Sequence, residues 1–108
     1  MIYELRTYEL YGDGRQALHA RFEEHTVRFF ERHGFRVIGF WETEIGDGPE
    51  LTYLLAWQNL AEREQGWDGF NTDPEWLEIR ERTNREQGPM VWKTHSKILR
   101  PTRYSPMK

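Results

Sequence analysis

The chain has 108 residues, a net charge of −3, a mean hydropathy of −0.90 and no cysteine. That length fits one domain over residues 1–108, and the charge excludes a nucleic-acid binder that relies on bulk positive charge. No apolar run approaches the ~20 residues of a membrane span, and 5 Trp, 5 Tyr and 6 Phe exclude a disordered chain.

Residues 2–10 are rich in β-branched and aromatic types and read as a strand, with Tyr3, Leu5 and Thr7 on one face and Ile2, Glu4, Arg6 and Tyr8 on the other. The strand pattern begins at once, which leaves no room for a signal peptide and predicts a cytoplasmic protein. Gly12-Asp13-Gly14 is a turn. Asp13 is then the expected N-cap of a helix, with Gln16 completing a capping box. The helix runs to about His33, where Gly34 suits the left-handed position after its end. Its stripe of Leu18, Phe22, His25 and Phe29 has helical spacing, while Arg15, Arg21, Glu23, Glu24 and Arg28 read as a solvated surface. Residues 35–45 and 51–58 are strands joined by Gly46-Asp47-Gly48-Pro49, a hairpin. Asn59 caps a second helix with Leu60, Glu64, Trp67 and Phe70 inward. Asp73-Pro74 starts a third, carrying Trp76 and Ile79 and fading before Gly88-Pro89. Residues 90–99 form the last strand, and 102–108 a tail.

The order β-α-β-β-α-β predicts a ferredoxin-like α+β fold, a four-stranded antiparallel sheet with its helices on one face. Residues 51–58 offer Tyr53, Leu55 and Trp57 to one side and Leu54 and Ala56 to the other. Residues 35–45 offer Val37, Gly39 and Trp41 against Ile38 and Phe40. With both faces apolar and helices for only one, the sheet requires a partner, and an isologous homodimer supplies it.

The opening Met1-Ile2-Tyr3-Glu4-Leu5-Arg6-Thr7-Tyr8, then His33-Gly34-Phe35 and Val37-Ile38-Gly39-Phe40-Trp41, resemble the NIPSNAP family. So do Tyr53-Leu54-Leu55-Ala56-Trp57, Leu60 to Glu64 with Trp67 and Phe70, Asp73-Pro74-Glu75-Trp76, and the closing Leu99-Arg100-Pro101-Thr102 with Tyr104-Ser105-Pro106. The likeness covers essentially the whole chain. It implies the dimeric α/β barrel, in which two ferredoxin-like protomers join their sheets. It implies no defined activity: NIPSNAP-like proteins include organelle-associated members with scaffolding or signalling roles and small bacterial ones. Superfamily relatives include cofactor-free monooxygenases, haem-handling enzymes and isomerases. The chain lacks the targeting segment expected of organelle-imported members. No catalytic motif comes with the family, and none is carried over.

Five residues stand out as ligand-binding candidates: Arg6, Tyr8, His25, Trp67 and Trp76. His25 interrupts an apolar stripe, which suits either an acid/base or ligating group facing a helix–sheet pocket, or a histidine satisfied by backbone. Glu4, Arg6 and Tyr8 share a face, as a cavity's polar patch with Arg6 holding an anionic group, or as an ion pair and hydroxyl network at a subunit interface. Trp57, Trp67, Phe70 and Trp76 suit a flat or apolar ligand, or ordinary core packing. His19, His33 and His95 add no metal spacing, so neither metal, haem nor other cofactor is expected. Phosphate-loop and serine-elbow patterns are missing. The basic residues Lys93, Lys97, Arg100, Arg103 and Lys108 read as a solvated, edge-protecting face. The expected function is binding of a small, partly apolar molecule or an interaction role; the alternative is a cofactor-independent monooxygenase or related small-molecule enzyme.

Overall fold

In the computed structural model, which describes residues 1–108, β1 (Ile2–Leu10) is followed by a 3₁₀ turn at Gly12–Gly14. A continuous helical rod comes next, made of α1 (Arg15–Arg21), a π turn (Phe22–Thr26) and α2 (Val27–Arg32). Strands β2 (Arg36–Glu42) and β3 (Glu50–Trp57) form the hairpin; α3 (Leu60–Thr72), α4 (Pro74–Gln87) and β4 (Val91–Leu99) complete the chain. The sheet order is β2-β3-β1-β4 with every pairing antiparallel, the ferredoxin-like arrangement.

Most element ends follow from local chemistry. Asn59 Oδ1 accepts the Glu62 amide at 2.8 Å, and Glu62 Oε2 accepts the Gln58 amide in return. Gly34 takes φ +80°, which lets the Phe35 amide close back on the Phe30 carbonyl at 3.0 Å and end α2. Asp73 caps α4: its Oδ1 accepts the Glu75 amide at 3.0 Å, while its Oδ2 takes His33 Nε2 at 2.7 Å and Arg32 Nη1 at 3.1 Å. Asp13, by contrast, makes no cap bond, because Gly12–Gly14 winds into a 3₁₀ turn ahead of the helix.

The Asp73 contacts carry a pH signature. The bond from His33, then that from Arg32, holds the Asp73 carboxyl at about 2, below its ordinary 3.8. A depressed folded value means the stabilisation is present above the unfolded value and is lost as pH falls through the folded one. Asp73→Asn should therefore melt below wild type at pH 5, with the gap in Tm closing between about pH 4 and pH 2. A gap that stays constant down to pH 2 would show that the carboxylate charge contributes nothing.

Two irregularities redirect side chains. In the π turn the Val27 amide bonds to the Phe22 carbonyl, five residues back. A wider turn keeps residues four apart on one face, so Leu18, Phe22, Thr26 and Phe30 point inward and all are buried. His25 is rotated out of the stripe that regular spacing gives it. A register shift between Val37 and Gly39 bulges β2 at Ile38. Val37 and Phe40 consequently share the core face, opposite Leu55 and Tyr53, while Gly39 and Trp41 fall on the other, which corrects the alternation expected for this strand.

The core lies between the helices and one sheet face, where Leu18, Phe29, Phe30, Tyr53, Leu55 and Trp57 are almost wholly buried. The other face has no helix. Its Tyr3, Leu5, Leu54 and Leu99 end is apolar, and residues of the tail join Tyr3 and Leu54 around a cleft of about 330 Å³. Its far end is polar, contrary to the uniformly apolar face expected: Thr7 bonds Thr52 at 3.3 Å and His95 bonds Glu9 at 2.6 Å. Every residue of β4 from Trp92 to Leu99 is exposed, so the helices stop short of this strand on the core side as well. The chain forms a slab of 46 × 35 × 19 Å, with a radius of gyration of 14.6 Å against roughly 13 Å for a globular chain of this length.

Candidate functional site

The alternation of β1 sends Glu4, Arg6 and Tyr8 toward the helices, so the polar trio lies on the core side of the sheet. Glu4 is fully buried. Its Oε1 accepts Trp57 Nε1 at 3.0 Å, Trp67 Nε1 at 2.9 Å and Arg63 Nε at 3.0 Å. Its Oε2 accepts Arg63 Nη2 and Ser96 Oγ, both at 3.1 Å, and a longer 3.4 Å contact from Arg6 Nη1. Burial alone would raise this carboxyl, but the bonds from Arg63 and the two indoles outweigh it and hold it below the usual carboxylate range. Gly66 makes the arrangement fit, since a Cβ there would sit 2.7 Å from the Trp57 ring.

Arg63 was not among the residues singled out from sequence. The inward face of α3 runs Arg63, Gly66, Trp67, Phe70, whereas Leu60 and Glu64, expected inward, are exposed. A reading that started from Trp67 and stepped back four residues would have found Arg63.

With Glu4 gripped on both oxygens by Arg63, Arg6 shares that carboxylate only through its 3.4 Å contact. Its Nε donates to the Tyr53 hydroxyl at 2.8 Å, its Nη2 reaches the Tyr8 hydroxyl at 3.4 Å, and its Cζ sits 4.4 Å over the Trp67 ring. The Tyr8 and Tyr53 hydroxyls bond each other at 2.7 Å. Burial, then the neighbouring Tyr8 phenol, pushes Tyr53 well above the ordinary phenol value, so it stays a neutral donor. Arg6 is 17% and Arg63 29% exposed at the side chain. Both are partly exposed beside β4, whose core-side residues Thr94, Ser96 and Ile98 are themselves uncovered and stand opposite Tyr8, Arg6 and Glu4.

Nearer the start of β4 lies Arg21, half-buried rather than part of a solvated surface. Its Nη1 donates to Thr83 Oγ1 at 3.1 Å and Asn84 Oδ1 at 2.9 Å, and its Cζ is 5.7 Å from the centre of the Trp76 ring. Arg21 Nε and Trp76 Nε1 are buried and bond to nothing. A buried donor left unpaired costs about 1–3 kcal/mol, so two of them in one cation–aromatic pair are unusual.

Of the five candidates, Arg6, Tyr8 and Trp67 meet at one place. Trp76 packs on Phe70 at 4.8 Å and faces Arg21. His25 is apart. It bonds Arg28 Nη2 at 3.2 Å and lines an outer cleft between α1 and α4, which corrects its expected position between helix and sheet.

A model of the family described as NIPSNAP matches residues 3–106. No curated protein matches the chain. Among solved structures, a NIPSNAP family protein of unknown function from Agrobacterium tumefaciens is 27% identical, with a TM-score of 0.86 over 100% of this chain and 94% of that one. An uncharacterised NIPSNAP-like domain protein from Burkholderia xenovorans is also 27% identical, with a TM-score of 0.85 over 97% and 88%. A solved antibiotic biosynthesis monooxygenase matches at 7% identity and a TM-score of 0.61 over 94% and 99%, a likeness of fold alone.

Proposed function

Because this chain belongs to the NIPSNAP family, which has solved members of unknown function, we propose a role from its own side chains. It acts as a cytoplasmic homodimer that binds a small, partly apolar molecule in the trough between α3, α4 and the uncovered core side of β4. One observation carries this reading: the Arg6–Tyr8–Tyr53 donors sit within an aromatic interior, against Trp67, at the one strand the helices leave open. Both Glu4 oxygens are taken and Tyr53 is wholly buried, so the partly exposed side chains on this side are the Arg6 guanidinium, the Tyr8 phenol and the Trp67 ring.

Native mass spectrometry of gently purified protein tests this. A small non-covalent mass should accompany the wild type and be lost from Trp67→Ala at unchanged fold. The reading fails if no small mass is retained and a panel of flat aromatic acids and amides leaves the Trp67 indole N–H signal unmoved.

The dimer is supported by the slab shape, by an accessible surface of 7228 Å² against roughly 6,400 Å² expected for this mass, and by the apolar end of the helix-free face. An isologous pairing through that face buries Leu54 with Trp41 and Leu99, both exposed on it, against a second copy.

A further inference from the structure

We infer that the molecule held in this trough carries a carboxylate, and that Arg21 with the Trp76 indole N–H is where the carboxylate docks. This rests on the small-molecule reading above and names the ligand's class.

The first support is charge. Arg6, Arg21 and Arg63 are all partly buried, and Glu4 is the one carboxylate bonded to any of them. Arg63 takes both oxygens of Glu4. The side-chain partners of Arg21 are the neutral groups of Thr83 and Asn84, and Arg80 adds a second cation to its surroundings. A half-buried guanidinium calls for a counter-charge, and none of Asp13, Glu24 or Glu86, which line the cleft on its outer side, comes within salt-bridge distance.

The second support is geometry. With Nη1 taken, Arg21 keeps its Nε edge free, the edge that grips both oxygens of a carboxylate in a planar fork. The Trp76 ring is 4% exposed, and its N–H is the other buried donor without an acceptor. Two unpaired donors in one cation–aromatic pair ask for an acceptor and offer nothing to a ligand donor. Arg21 lines a cleft of about 370 Å³ with Asn84, Pro89, Met90 and Val91 at the start of β4, and the two donors lie beneath its wall, closed to solvent until the Arg21 side chain moves. Apolar neighbours on this side suit a carboxylate on a carbon frame better than a free inorganic anion.

The test uses the full-length protein and 2-naphthoate, with 2-naphthamide as its neutral counterpart and inorganic phosphate as a bare anion. Naphthoate should bind about tenfold or more tightly than the amide, and Arg21→Met should erase that difference. In ¹⁵N NMR, naphthoate should move the Trp76 indole and Arg21 Nε–H signals downfield, the former assigned with Trp76→Phe. Equal binding of acid and amide would overturn the carboxylate dock and leave the small-molecule reading standing. Phosphate binding as tightly as naphthoate would overturn it in favour of a bare anion site. Failure of acid and amide alike, with both N–H signals still, would remove both readings.

Discussion

Leu54→Glu should give a folded monomer, and Leu55→Glu should give little folded protein at all. The two residues are neighbours on β3 and point to opposite faces of the sheet. Leu55 is wholly buried, opposite Glu4 on β1 and Val37 on β2. A glutamate there stands beside the Glu4 carboxylate, which already takes Arg63 and Arg6, and a buried charge without its own partner destabilises by about 3–5 kcal/mol or more. That is a large part of the 5–15 kcal/mol that stabilises a whole domain. Leu54 lies on the helix-free face opposite Leu5 and Gly39, and helps line the cleft shared with Tyr3 and the tail. In an isologous pairing a charge there is introduced twice across one interface. Wild type should sediment as a dimer at micromolar concentration, through an interface toward the ~2,000 Å² of obligate pairs. Leu54→Glu should sediment at half that mass with its near-ultraviolet circular dichroism intact. A monomeric wild type, or a dimer indifferent to Leu54→Glu, would rule out this face as the interface.

Removal of the Glu4 charge is the second large effect. Glu4→Gln keeps the shape of the side chain but leaves Arg63 and Arg6 facing a neutral amide, and it turns one of the two acceptor positions into a donor pointed at other donors. The expected loss is about 3–5 kcal/mol, seen as a fall in Tm of more than roughly 10 °C. The sign with pH follows from the direction of the shift. Glu4 is held below its ordinary 4.5, so its contribution is complete above that value and fades as pH falls through the lowered one. Wild type and Glu4→Gln should therefore differ widely at pH 7 and converge in strong acid. Arg63→Met should cost less, because Arg63 is partly solvated and Arg6 remains near the carboxylate. Calorimetry at pH 7 and pH 3 separates these outcomes; near-equal melting at pH 7 would mean the buried carboxylate is dispensable.

The amino-acid sequence by itself determined the elements and their order, because the interactions that start and stop them lie within a few residues. Asn59 with Glu62, Asp73 with Pro74, and Gly34 after His33 all act within one turn. The period-two alternation of β1 likewise assigned Glu4, Arg6 and Tyr8 to one face. Which face the helices cover depends on the whole topology, and only the tertiary structure turned the trio into the interior. It also supplied their partners: Arg63 lies 59 positions from Glu4 and Ser96 lies 92. Regular helical spacing placed His25 inward and Arg21 outward, and the π turn with the packing of α4 moved each the other way. A chain records its short-range hydrogen bonds in adjacent letters. A buried charge gathers its partners from β1, β3, α3 and β4, and nothing local in any one of those segments says that they meet.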